Sequence, residues 1–240
     1  MGGSPMAHCW WTMSICNERH RRYALSSALF ALGCFDVQQV ELPSRPGRLE
    51  IDDFEDGNDA PKASAFASWS CSASPAASSV SCGSDDSGTA AGRVETVRFE
   101  LRDPLDGTMD YPKAQFQSSA RLGSLDLGSY SAISFRAQLE LSPEDALRAP
   151  PLLVRVRCNG AGTSGAGPEG SWLEAPKAVG SEWALFRVPL DTLLRPSYVV
   201  SFSRRECLAR VEGLEFMIGP EYPDGQGLVA VLRIDDVALE

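Results

Sequence analysis

Apolar and polar side chains alternate with period two in one short segment after another, and this restricts the fold more than any other feature of the chain. In Val94–Leu101, Val97, Phe99 and Leu101 lie on one side, while Thr96, Arg98 and Glu100 lie on the other. Successive side chains of an extended strand point to opposite faces, so such a segment reads as a strand buried on one face. Ala132–Leu139 repeats the pattern, with Ile133, Phe135, Ala137 and Leu139 against Ser134, Arg136 and Gln138. Leu152–Cys158, Phe186–Leu190, Leu214–Ile218 and Leu228–Leu239 follow the same rule. Only Ser142–Arg148, opening Ser-Pro-Glu-Asp, reads as a short helix, with a serine cap, a proline in the first turn and acids near the positive end. Many short strands with little helix predict an all-β fold, an antiparallel β-sandwich of the jelly-roll kind. Between the strands, Ala60–Arg93 reads as an irregular, cysteine-pinned excursion and Asn159–Gly180 as a long glycine-rich loop.

Composition restricts the chemistry. The chain has two histidines, His8 and His20, both ahead of any segment that begins a folded domain. The folded part therefore lacks Ser-His-Asp and Cys-His nucleophilic sites and histidine zinc sites. Its charge of -10 becomes -12 if residues 1–33 are removed, as 22 cations and 32 anions fall to 19 and 31. Such a surface repels phosphate backbones, and no basic stripe with interleaved aromatics appears, so a nucleic-acid partner is not expected.

Arg19, His20, Arg21 and Arg22 precede an apolar run, Tyr23–Gly33, of secretory-leader length and too short to span a bilayer. Ala31-Leu32-Gly33-Cys34 resembles the lipobox of bacterial lipoproteins, although Ala31 and Leu32 stand in exchanged order. The resemblance implies cleavage before Cys34, lipidation of its thiol and attachment to a membrane. The organisation expected is a signal peptide over 1–33, a lipidated cysteine and tether over 34–48, and the jelly-roll domain over 49–240. The product would be exported, as an outer-membrane or cell-surface lipoprotein, or otherwise periplasmic or secreted. Four cysteines then remain in the exported domain, Cys71, Cys82, Cys158 and Cys207. An even set in an oxidising compartment predicts two disulfides. Of the three pairings, Cys71 with Cys82 and Cys158 with Cys207 is favoured, worth roughly 3 and 4 kcal/mol by chain entropy.

Ile51-Asp52-Asp53-Phe54-Glu55-Asp56-Gly57 and Leu232-Arg233-Ile234-Asp235-Asp236-Val237-Ala238-Leu239 resemble the terminal strands of galactose-binding-like jelly rolls. Tyr130–Phe135 and Trp183–Leu190 stand where that superfamily carries similar strands. Family 11 carbohydrate-binding modules and the complex I intermediate-associated domain are members. The resemblance covers residues 49–240 and implies a sandwich whose neighbouring terminal strands often hold a structural calcium. Asp53, Glu55, Asp235 and Asp236 are the candidate ligands. Separately, the inward parity of Leu232 and Ile234 conflicts with that of Val237 and Leu239, which predicts a β-bulge at Asp235-Asp236. Hard carboxylate oxygens gathered there suit calcium. Glu50-Ile51-Asp52-Asp53-Phe54-Glu55 also resembles the catalytic strand of family 16 glycoside hydrolases, although Asp53 stands where that family has an apolar residue.

Trp69, Trp172 and Tyr222 lie among small, polar or turn residues, where exposed rings would stack on the apolar C–H faces of a sugar. Arg136, Arg155, Arg157, Arg187 and Arg233 project from the non-core faces of strands and, if several share one sheet, form a patch suited to acidic glycans. With no catalytic residue assigned, the expected function is non-catalytic binding of a glycan or cell-surface polysaccharide. A structural or adaptor lipoprotein without a sugar ligand, and a jelly-roll glycoside hydrolase, are the alternatives.

Overall fold

The computed structural model describes residues 47–74, 78–86, 92–102, 112–121, 123–142, 145, 149–158, 171–199, 202–219 and 228–240. The expected leader, Cys34, most of the expected tether and Tyr222 lie outside the described residues, as does most of the Ser142–Arg148 segment. The chain divides into units 1–36 and 37–240, and every described residue belongs to the second.

Eleven strands are described: β1 (Leu49–Asp52), β2 (Ser70–Ser74), β3 (Ser79–Asp86), β4 (Arg93–Leu101), β5 (Lys113–Ser119), β6 (Ala132–Leu141), β7 (Leu152–Cys158), β8 (Ser171–Lys177), β9 (Ala184–Pro189), β10 (Val211–Ile218) and β11 (Leu228–Leu239). A 3-10 turn, Leu190–Thr192, and one short helix, α1 (Arg204–Leu208), complete the order. The first sheet runs β3-β4-β11-β6-β9, with β1 added on β11; the second runs β2-β5-β10-β7-β8. Every described pairing is antiparallel. This is the expected all-β sandwich, and the six alternating segments are strands in it.

Two expectations are corrected. The excursion at 60–93 contains β2 and β3, and the loop at 159–180 contains β8. Small residues pair as well as large ones when a neighbouring strand supplies the apolar surface, as Phe116 does opposite Cys71. β5 and α1 were not anticipated. The helix nevertheless carries a sequence signature, since Ser203 and Glu206 form a reciprocal capping box.

The cysteines pair as favoured. Cys71–Cys82 ties β2 to β3, joining the edges of the two sheets across 6.1 Å between Cα atoms. Cys158–Cys207 fastens α1 to the end of β7 across 5.1 Å. Between the sheets the aromatic core is continuous. Trp69 stacks on Phe116 at 4.6 Å, and Phe216 meets Phe135 edge-on at 5.0 Å.

Phe54 reaches this core with φ of 55°, a left-handed conformation costing a non-glycine residue roughly 1–2 kcal/mol. Complete burial of its ring is worth about 1.5–3 kcal/mol, and Asp52 Oδ1 accepts its amide at 3.0 Å, so the ring prevails over the strain. The bulge expected in β11 is present: the register against β6 shifts between Asp235 and Ala238, and Asp236 has φ of 54°.

Candidate functional site

In β10, Leu214, Phe216 and Ile218 point into the core, so Glu215 and Met217 point outward from the second sheet. Register fixes their neighbours: Glu215 lies beside Gln117 of β5 and Arg155 of β7, and Arg155 lies beside Glu174 of β8. Gln115 of β5 is next to Met217, and Arg157 of β7 is opposite Trp172 of β8. One outer face thus carries a polar row that no single stretch of sequence contains.

The row is ordered by charge-assisted contacts. Arg155 Nε donates to Glu174 Oε2 at 2.7 Å, and its Nη1 reaches Glu215 Oε1 at 3.3 Å. Gln115 Nε2 donates to Glu215 Oε1 at 2.9 Å, and Arg157 Nη2 to Ser119 Oγ at 2.9 Å. Arg155 and Glu215 are buried on the floor of this face. A buried ion pair gains little net stability, but a fully bonded one holds its side chains in one geometry.

An aromatic pair borders the row. The Trp172 indole lies 5.0 Å above the Arg155 guanidinium and donates Nε1–H to Glu174 Oε2 at 3.1 Å. After the 3-10 turn, Leu194 pairs with the outer edge of β8, exchanging hydrogen bonds with Glu174 at 2.8 and 2.9 Å. That pairing carries Tyr198 alongside Trp172, ring centroids 5.9 Å apart and planes at 61°. Tyr198 is 71% exposed. Arg155, Arg157 and Trp172 were anticipated from the sequence; Gln115, Gln117, Glu174, Glu215 and Tyr198 were not. The alternation Lys113-Gln115-Gln117-Ser119 against Ala114-Phe116-Ser118 was the available signal for β5, whereas Tyr198 is brought in by a tertiary bridge alone.

Other expectations are corrected. Trp69 is 4% exposed: it packs in the core and donates Nε1–H to the buried Asp52 Oδ2 at 2.9 Å, so its ring is not available to a ligand. Its sequence neighbours are small, but Phe54 and Phe116 reach it from elsewhere in the chain. The five outward arginines do not form one patch, because Arg155 and Arg157 lie on the second sheet and Arg136, Arg187 and Arg233 on the first. Arg187 pairs with Glu240, Arg233 pairs with Glu140, and Arg136 lies 5.6 Å from the Trp183 ring. On the second sheet, Glu174 and Glu215 balance the two arginines.

Three of the four acids named for calcium are already bonded within the chain. Asp53 is bound by the Lys62 ammonium, which also reaches Glu50, and Glu55 Oε2 accepts the Arg93 amide at 3.3 Å. Asp235 Oδ1 accepts the amide of Asp236 at 2.8 Å, and burial, with the neighbouring Asp236 charge, pushes its carboxyl up to about 6. Among the described residues no three His, Cys, Asp or Glu side chains gather where they could hold a metal ion. The arrangement therefore does not fit a calcium centre. In the strand resembling a hydrolase motif, Glu50 is paired with Lys62, Glu55 accepts the Arg93 amide, and Asp52 between them is buried and bonded to Trp69.

No protein-family model matches the sequence, and no curated protein matches it. Solved structures do match. The family 11 carbohydrate-binding module of the cellulosomal cellulase Lic26A-Cel5E of Clostridium thermocellum is 16% identical, with a TM-score of 0.53 over 82% of this chain and 95% of that one. The family 11 module from Clostridium thermocellum in complex with a beta-1,3-1,4-mixed-linked tetrasaccharide is 17% identical, with a TM-score of 0.53 over 82% of this chain and 96% of that one. The fold of this chain is that of the family 11 carbohydrate-binding modules, a jelly-roll β-sandwich.

Proposed function

We propose that this domain binds carbohydrate without transforming it, on the outer face of the second sheet. The observation that carries this reading is the Trp172–Tyr198 pair beside a polar row of ion-paired side chains. A sugar presents apolar C–H faces and hydroxyl edges, and it needs both an aromatic surface and fixed donors and acceptors. Gln115, Gln117, Arg157 and Glu174 supply the latter. Because Arg155 and Arg157 are balanced by Glu174 and Glu215, the face suits an uncharged chain. The similarity to a module solved with a mixed-linked tetrasaccharide supports a β-glucan ligand.

Non-catalytic binding is favoured because Glu174 and Glu215 are both engaged by one guanidinium, leaving neither placed as an acid over a scissile bond. We also read the protein as exported and lipid-anchored through Cys34, on the strength of the basic cluster, the apolar run and Gly33-Cys34.

Affinity is expected on the order of 0.01 to 1 mM, about 4 to 7 kcal/mol. Titration with mixed-linked β-glucan oligosaccharides tests the reading. Trp172→Ala should weaken binding by about tenfold or more while leaving the melting temperature near that of the wild type. Absence of binding to a broad panel of neutral glycans would favour the adaptor alternative. Cleavage of the panel, stopped by Glu174→Gln, would favour a hydrolase.

A further inference from the structure

On the outer face of the first sheet, alternation turns Arg136 of β6 outward, and register places it between Asp235 of β11 and Leu185 of β9. Trp183 precedes β9 with the parity of Leu185, and its ring lies 5.6 Å from the Arg136 guanidinium. Leu185 is 72% exposed. The group stands at an open edge, since no described strand pairs with β9 on the side away from β6. The second sheet has the same order of parts, with Trp172 on its edge strand, Arg155 on the next strand and Glu215 on the one after.

The two groups differ in what the arginine does. Arg155 spends its donors on Glu174 and Glu215. Arg136 is half-buried, yet among the described residues no hydrogen bond or ion pair engages its guanidinium. A hydrogen bond to a charged group is worth about 1.5–3 kcal/mol, so a partly desolvated guanidinium without acceptors is an unfinished contact. Asp235 is unfinished on the same side. It is 4% exposed, and its Oδ1 accepts the Asp236 amide at 2.8 Å, while its Oδ2 meets no donor among the described residues. Unlike the carboxylate oxygens of Glu95, that oxygen is not enclosed.

We propose that this group is a second sugar site, taking one or two rings of a neutral glycan on the outer face of the first sheet. Trp183 and Leu185 offer apolar surface to the C–H face of a ring. Arg136 donates to hydroxyls and Asp235 Oδ2 accepts from one, so a vicinal hydroxyl pair meets one partner of each kind. Opposite charges on adjacent strands leave little net charge, which selects an uncharged ligand. Strands lie about 4.8 Å apart, so Asp235 to Leu185 spans about 10 Å, room for one or two rings and not for a long chain. The site is independent of glycan binding on the second sheet, because none of its residues belongs to that face.

The test is NMR titration of the full chain with cellobiose, mannobiose and lactose, followed by the separate indole N–H signals of Trp183 and Trp172. At least one disaccharide should shift Trp183 saturably with a millimolar dissociation constant, and should do so in Trp172→Ala as well. Adding Trp183→Ala to that variant should remove the remaining binding and leave the melting temperature near that of the wild type. Arg136→Lys keeps the charge but loses the planar donor fork, and it should weaken the Trp183 response by about threefold or more. The proposal is overturned if no disaccharide moves the Trp183 signal of the folded wild type, if Trp172→Ala abolishes that response, or if Arg136→Lys binds as the wild type does. A silent Trp172 beside a responding Trp183 would count only against the second-sheet reading.

Discussion

Glu95 has inward parity in β4, with Val97 and Phe99, and so enters the sandwich interior with both carboxylate oxygens buried and no hydrogen-bond partner of ordinary geometry. Burial, then the charges of Asp59 and Asp52, pushes its carboxyl up to about 8 from an ordinary value of 4.5. A carboxyl held neutral avoids most of the cost of a buried charge. Because the folded state binds this proton more tightly than the unfolded state, the stabilisation is complete below pH 4.5 and is lost as pH rises to 8. Asp235 acts in the same direction up to about 6. Asp85, whose carboxyl is lowered by its hydrogen bond from Arg98, opposes them at acid pH. The melting temperature should therefore fall between pH 5 and 8, and Glu95→Gln should flatten that slope and raise the melting temperature by several degrees at pH 8. A profile unchanged by the substitution would show that Glu95 is ionised in the fold.

At the scale of elements, β2 and β3 have little apolar surface of their own: the outer residues of β2 are serines, and β3 carries Gly83, Asp85 and Asp86. Their attachment depends on β4, β5 and the Cys71–Cys82 bridge. Replacing both cysteines by serine should cost about 2–3 kcal/mol for so short a loop, or roughly 5–10 °C in melting temperature. Hydrogen exchange should rise first in these two strands. The turn between β1 and β2 collects Asp52, Asp53, Glu55 and Asp56 but spends them locally, on turn amides, Trp69, Lys62 and Arg93. Calcium added to a metal-stripped sample should accordingly leave the melting temperature unchanged. An upward shift would mean that the loop rearranges to gather those acids around the ion.

For the molecule as a whole, Cys34→Ala should move the protein from the membrane fraction of a bacterial host to the soluble fraction, or block its maturation. Equal mature mass and solubility for both would rule out lipidation. Among the described residues no helix is long and apolar enough to cross a membrane. The sequence by itself determined the sandwich, the inward face of six strands, the bulge at Asp235-Asp236 and the expectation of two disulfides from four cysteines. Each follows from period-two parity or from counting, and both are local. It named Arg155 and Arg157 for the same reason, since alternation tells which side of its own strand a residue takes, and it named Trp172 from the small and polar residues around it. Only the tertiary structure decided that Trp69 is core, that the five arginines divide between two sheets, and that Tyr198 stands beside Trp172. Those facts depend on which strands are neighbours and on what fills the space between sheets. Strand order is set by packing between segments as distant as Gln115 and Glu215, which no local pattern records.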